Sequence, residues 1–393
     1  MKRRAFAVIA AAAPLASLSG RLFAAPAAQS RFLLVFLRGG YDAASLLVPH
    51  ASSFYYEVRP NIAIGRPSAE AASAIGLDGA WGLHPALRDS LGPMLARREL
   101  AFVPFAGTED LSRSHFQTQD SIELGQPLSA RRDYRSGFMG RLAQALAGSA
   151  PIAFTDQLPL AFQGSTPVPN VSLRSVGKPG LDARQSAVIE SMYRGTPWAH
   201  QVAEGFAVRD DVARELVAEM EAASRNAISA KGFELEARRI AHLMRERYTL
   251  GFVDVGGWDT HVGQGAATGY LASRFEELGR GLAAFAQEMG TAWAQTTVVV
   301  VSEFGRTFRE NGNRGTDHGH GGVMWVLGGA TKPVIAGDQV ELSSSTLFQN
   351  RDWRVLNDYR AVLSGIFATQ FGMGPATLEK VFPGVAPKAL HLA

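Results

Sequence analysis

The sequence predicts an α/β fold, a three-layer sandwich around a mostly parallel sheet, and two observations carry that reading. Short apolar runs recur at 31–37 (RFLLVFL), 100–104 (LAFVP), 249–255 (TLGFVDV), 296–302 (TTVVVVS) and 323–327 (VMWVL). Each is continuous rather than alternating, the pattern of a strand covered on both faces. Between the runs lie segments of helical period, at 84–97, 137–147, 181–193, 266–289 and 354–371. Strand and helix in alternation argue for an open sheet with helices on both sides. Residues 199–247 depart from the alternation. They are charged and helical, with Val212, Leu216, Val217 and Met220 on one face, and read as an inserted or covering helical pair. The Gly-, Pro- and Ser-rich stretch 163–180 leads into them as a surface connection.

Composition narrows the function classes. With 46% hydrophobic and 19% charged residues, the 393-residue chain has ample material for a folded core. The absence of cysteine excludes disulfides, thiolate zinc sites, iron–sulfur clusters and cysteine nucleophiles. The formal charge of +3 is a property of the N-terminus. Residues 1–27 carry a basic start (Lys2, Arg3, Arg4), an Ala-rich apolar run and small residues at 24–28, the pattern of a cleavable signal. The Arg3-Arg4 pair fits the twin-arginine type, so the twin-arginine translocase is the expected export partner. Removing this segment takes away four basic side chains and no acidic one, which turns +3 into −1. Nothing then asks for a nucleic-acid partner, and no later run has membrane-spanning length. The expectation is a mature single domain over 28–393, in the periplasm or secreted.

Ligands of open α/β sheets gather at the carboxyl ends of the strands, so the residues after each apolar run are the candidates. After the first run, Gly39-Gly40 permit a turn that places Asp42 at the sheet edge, either as a metal ligand or as a helix cap. After 249–255 come Asp259 and His261, two apart on a Gly-released loop and able to reach one divalent cation. After 296–302, Glu303 emerges at the same edge. Burying its charge would need a cation or an arginine. Arg306 is then either its ion-pair partner or a clamp for an anionic substrate. The segment Gly315–Gly322 places Asp317, His318 and His320 within four residues among glycines, a backbone free to wrap a metal. Ser114 precedes a helical stretch, as an N-cap or as a nucleophile. Carboxylates and imidazoles together suit Zn, Mn or a similar divalent ion, one or two in number, and a phosphate or related oxyanion ester as the small anionic substrate.

The segments VFLRGGYDAASLLVP, Tyr55-Tyr56 with Arg59-Pro60, SRSHF, GGWDTH, SEFGRT with Glu310-Asn311, and GTDHGHGG together resemble a bacterial family, domain of unknown function 1501. They spread from Phe32 to about Gly372. The resemblance implies a twin-arginine signal, matching Arg3-Arg4, and a branch of the alkaline phosphatase-like superfamily with one or two metals at a sheet edge. By that resemblance Asp42 matches the first-strand metal aspartate, Asp259 and His261 an aspartate–histidine pair, and His318 or His320 the late histidine. Glu303 stands where the superfamily has an aspartate, and Phe304 where histidine often follows. Ser114 falls about where the nucleophile is expected, without the sulfatase signature around it, which speaks against sulfate esters. The expected function is therefore an exported metal-dependent hydrolase of oxyanion esters. The alternative is a non-catalytic binding or assembly protein of the same fold.

Overall fold

The computed structural model describes residues 30–173, 183–207, 232–329, 331 and 334–393. The expected signal segment and the middle of the expected helical insertion, 208–231, lie outside the described residues. Ten strands are described: β1 (Arg31–Leu37), β2 (Leu47–Val48), β3 (Ile75–Gly76), β4 (Gly82–Leu83), β5 (Leu100–Gly107), β6 (Pro151–Phe154), β7 (Leu250–Val255), β8 (Thr296–Ser302), β9 (Gly322–Gly328) and β10 (Asn357–Asp358). Seven of them form one sheet in the order β10-β5-β9-β8-β1-β7-β6, and β2, β4 and β3 form a small antiparallel sheet beside it. In the large sheet only β9 runs against the others.

The unbroken apolar runs have the cause the sequence suggested. Along β1, Leu33, Val35 and Leu37 enter one core, and Phe32, Leu34 and Phe36 enter the other. The valines of β8 divide the same way, Val298 and Val300 against Val299 and Val301. Helices Arg88–Ala96, Phe233–Glu246 and Tyr270–Met289 bury their apolar faces in the first core. Helices Phe138–Ala145, Tyr359–Phe371 and Pro375–Val381 cover the second. The three layers are thus helix, sheet and helix.

Two local features add to that reading. The end of the expected insertion, Phe233–Glu246, is a layer helix packed on Tyr270–Met289, so close that a Cβ at Gly281 would lie 2.4 Å from the Phe233 ring. Strand β6, at the sheet edge, went unread in the sequence because it is four residues long and opens on a proline, which strands admit only at the first position, an edge or a bulge.

His84 joins the small sheet to the long helix region. Its Nδ1 accepts from the Ala86 amide at 3.1 Å, and its Nε2–H donates to the Ala266 carbonyl at 3.0 Å. Burial lowers its pKa to about 4, so the folded protein keeps this ring neutral while an unfolded chain would protonate it near pH 6.5. Between those values the unfolded state binds the extra proton, and stability must fall as the pH drops. Urea unfolding at pH 7, 5.5 and 4.5 should show that fall, and His84→Asn, which keeps a cap acceptor without a titrating ring, should flatten part of it. An unchanged pH slope in the variant would count against this role.

Candidate metal centre

The topology brings five loops to one edge of the sheet. Strands β1, β5, β7 and β8 end there, because they run in the same direction. Strand β9 runs the other way, so the loop before it, Gly315–Gly321, arrives at that edge too. The turn after β1 fits against the loop after β7 only because Gly39 has no side chain: its φ is +126°, and a Cβ would stand 2.6 Å from the Asp259 amide nitrogen. Gly315 does the same at the other side, where a Cβ would lie 2.4 Å from the His261 carbonyl.

Three histidines meet there, each held in the same way. His115, the first residue of helix His115–Leu124, places its Nδ1 2.8 Å from Glu303 Oε1. His261 places Nδ1 3.1 Å from Asp317 Oδ1. His318 places Nδ1 2.9 Å from the Arg113 carbonyl. All three acceptors are oxygens, so each ring donates its Nδ1–H outward and turns Nε2 inward. The Nε2 atoms of His261 and His318 face each other at 3.1 Å. Asp259 adjoins all three, 3.0 Å from His261 Nε2 through Oδ1, 3.6 Å from His318 Nε2 through the same oxygen, and 3.6 Å from His115 Nε2 through Oδ2. The ligand atoms of His115, Asp259 and His318 all lie within 4.8 Å of one another. His115 Nε2 is buried and has no hydrogen-bond partner.

The surrounding charges set the protonation states. Burial works against ionisation of Glu303, but hydrogen bonds from His115, Gln119 and Ser302 outweigh it and hold the carboxyl below the usual range. The Glu303 bond in turn raises the pKa of His115 against its own burial. Burial lowers the pKa of His318, which favours the neutral ring. Asp259 and Asp317 are likewise partly desolvated, yet both stay below the ordinary carboxylate range, Asp259 through Arg306 and Asp317 through Asn311 and His261.

The other expected site residues fall elsewhere or take other tasks. Glu303 and Asp317 orient histidines rather than facing the centre themselves. Asp42 is turned away from it: the carboxylate accepts from both terminal nitrogens of Arg59 at 2.6 and 3.0 Å, from Ser45 and Gln264 at 2.7 Å each, and caps the Ala44 amide. Burial opposes its ionisation, and the Arg59 charge more than compensates. Arg306 pairs with Asp259, not with Glu303. Its remaining N–H groups go to the carbonyls of Gly39, Gly40, Trp258 and Thr316 and, at 3.4 Å, to His261 Nε2, which leaves it none to clamp an anion. His320 is buried against the Phe348 ring, with its pKa lowered to about 4 by burial. Ser114 holds the N-cap position before His115 but makes no side-chain cap bond.

A family model described as "Protein of unknown function (DUF1501)" matches residues 29–382. The chain belongs to the DUF1501 family. No curated protein matches this DUF1501 chain. Among solved structures it is similar to a protein in the alkaline phosphatase superfamily from Vibrio parahaemolyticus, at 12% identity and a TM-score of 0.34. That match covers 78% of this chain and 62% of the other, so the chain spans less than two thirds of that protein's length.

The residue that sequence reasoning missed is His115. It stood inside SRSHF beside the serine that drew attention, and Gln119, one helical turn on, was the accompanying signal: both reach Glu303 Oε1. Arg306 carries its own prediction. Arg306→Lys keeps the charge but cannot reach four carbonyls from one nitrogen, so buried acceptors in three loops lose their donor. Urea denaturation should show a loss on the order of 3 kcal/mol. A loss below about 1 kcal/mol would mean that the loops hold themselves.

Proposed function

We propose that this chain is an exported metal-dependent hydrolase of phosphate or related oxyanion esters, with one divalent cation, Zn or Mn, held by His115, Asp259 and His318 and joined by His261. The observation that carries the reading is the common orientation of the three imidazoles. Each is anchored at Nδ1 by an oxygen acceptor and presents Nε2 to one point, the outer-shell arrangement of histidine ligands. Asp259 stands 3.0–3.6 Å from the three Nε2 atoms, and His261 and His318 face each other at 3.1 Å, spacings that suit ligands of one ion. Donors bound at tetrahedral Zn distances stand about 3.3 Å apart. Two lone pairs facing each other at 3.1 Å repel unless a cation lies between them or one is protonated. Charge points the same way. Asp259, Glu303 and Asp317 lie against the three histidines, and a divalent ion would add positive charge among these carboxylates.

Such an ion would polarise an ester oxygen and acidify a water. The chain's own residues do the rest. Asp259 and His261 are almost half exposed, at 47% and 41%, so a substrate reaches the centre from solvent. Ser114 is one residue from His115, and its hydroxyl is not committed to capping the helix, which supports the nucleophile reading. Arg306 fixes Asp259 and the strand-end loops. Among the described residues no helix is long and apolar enough to cross a membrane. Export by the twin-arginine route, and periplasmic residence, rest on Arg3-Arg4 and the signal pattern.

Metal analysis and an ester-hydrolysis screen on the mature protein test the proposal together. The expected result is about one ion per chain, held more weakly in His115→Ala and in His318→Ala while the fold survives. Ser114→Ala should retain the ion and lose turnover by at least 100-fold, on the order expected for removal of a nucleophile. Full turnover in Ser114→Ala would pass the nucleophile's part to water. A parent protein that binds no ion would leave the non-catalytic reading.

A further inference from the structure

His318 differs from the other two histidines in what holds it. Carboxylates orient His115 and His261, but a backbone carbonyl, that of Arg113, orients His318 at 2.9 Å. A carbonyl points only where its own backbone points it. Arg113 has φ of +50°, the left-handed region that non-glycine residues rarely adopt. Something must hold the residue there, and its side chain shows what does. Arg113 Nε and Nη2 bind Asp352 Oδ2 at 3.1 and 2.7 Å, and Nη2 also binds Gln349 Oε1 at 2.8 Å. The Asp352 side chain is fully buried, and its backbone pairs with Phe348 and Thr307. Thr307 directly follows Arg306, so the anchor belongs to the same framework as the centre.

We infer that Arg113 and Asp352 are positioning residues for His318: their ion pair holds the Arg113 backbone left-handed, and that backbone fixes His318 with Nδ1–H outward and Nε2 inward. The inference deepens the metal reading and rests on it only for what Nε2 binds. The tautomer itself is a property of the metal-free chain.

The test uses the whole mature protein, with Arg113→Gly and Asp352→Asn. Glycine adopts φ of +50° freely and so isolates the loss of the clamp from any backbone penalty. Imidazole-selective 15N spectra of the metal-free protein report the tautomer of His318. Titration with Co(II), followed by its visible absorption, reports the ligand set. The parent should show His318 as the Nδ1–H form. In both variants that signal should move toward a mixture of tautomers, and Co(II) affinity should fall about 10- to 100-fold with a changed band shape, the range seen when an outer partner of a ligand is removed. A His318 that stays in the Nδ1–H form in Arg113→Gly, with parent Co(II) affinity, would overturn the positioning role. Should Asp352→Asn fail to fold, Arg113→Gly decides alone, because the Arg113 side chain is partly exposed. A parent that shows the tautomer shift between variants but binds no Co(II) would overturn the metal reading and leave the positioning role standing.

Discussion

A single buried guanidinium, that of Arg306, closes the edge of the sheet. Parallel strands bring their carboxyl ends near one another, but nearness alone leaves five loops free to splay. Arg306 donates to Gly39 and Gly40 after β1, to Trp258 and Asp259 after β7, and to Thr316 before β9. Arg suits this task because its planar fork offers five donors in fixed directions. Its neighbours had to be small, and Gly39, Gly315 and Gly319 are the positions where backbone meets backbone. At Gly319 a Cβ would stand 2.5 Å from the Arg306 main chain. His261 and His318 converge because these loops are clasped, and Asp259 keeps its charge because the guanidinium lies against it.

A second buried arginine sits beneath the first. Arg59 pairs with Asp42 and donates to the carbonyls of Thr307 and Phe308, so it ties the β1 turn to the far end of the SEFGRT loop. With Ser45 and Gln264 completing its shell, Asp42 has no oxygen to spare for an ion. The sheet edge is therefore divided by charge type. Arginine–carboxylate pairs make its foundation, and imidazoles with one half-exposed aspartate face solvent. A stable, electrostatically satisfied base beneath an unsatisfied surface is what a preorganised ligand site requires.

The sheet was legible because burial on both faces leaves a mark that one short run of sequence carries. Asp259, His261 and His318 were legible for a related reason: each stands in a glycine-released loop next to such a run. What was not legible depends on partners far away in the chain. Asp42 could be a ligand or a cap until Arg59 was seen to take both oxygens. Glu303 and Asp317 carry the right chemistry for ligands, and only the placement of His115 and His261 shows each bonded to a ring nitrogen instead. His318 and His320 are alike in sequence, and the choice between them is made by Phe348, which takes the second ring into the interior. His115 was passed over because its neighbour Ser114 had the more familiar chemistry.

The central claim is that three imidazoles, oriented from behind, share one ion with Asp259. X-ray absorption at the edge of the metal bound to the mature protein tests this most directly, since imidazole rings give characteristic outer-shell scattering. The account predicts one light-atom shell of nitrogen and oxygen with scattering from three imidazoles, reduced to two in His115→Ala. A shell of oxygen alone, or one unchanged by loss of His115, would contradict it.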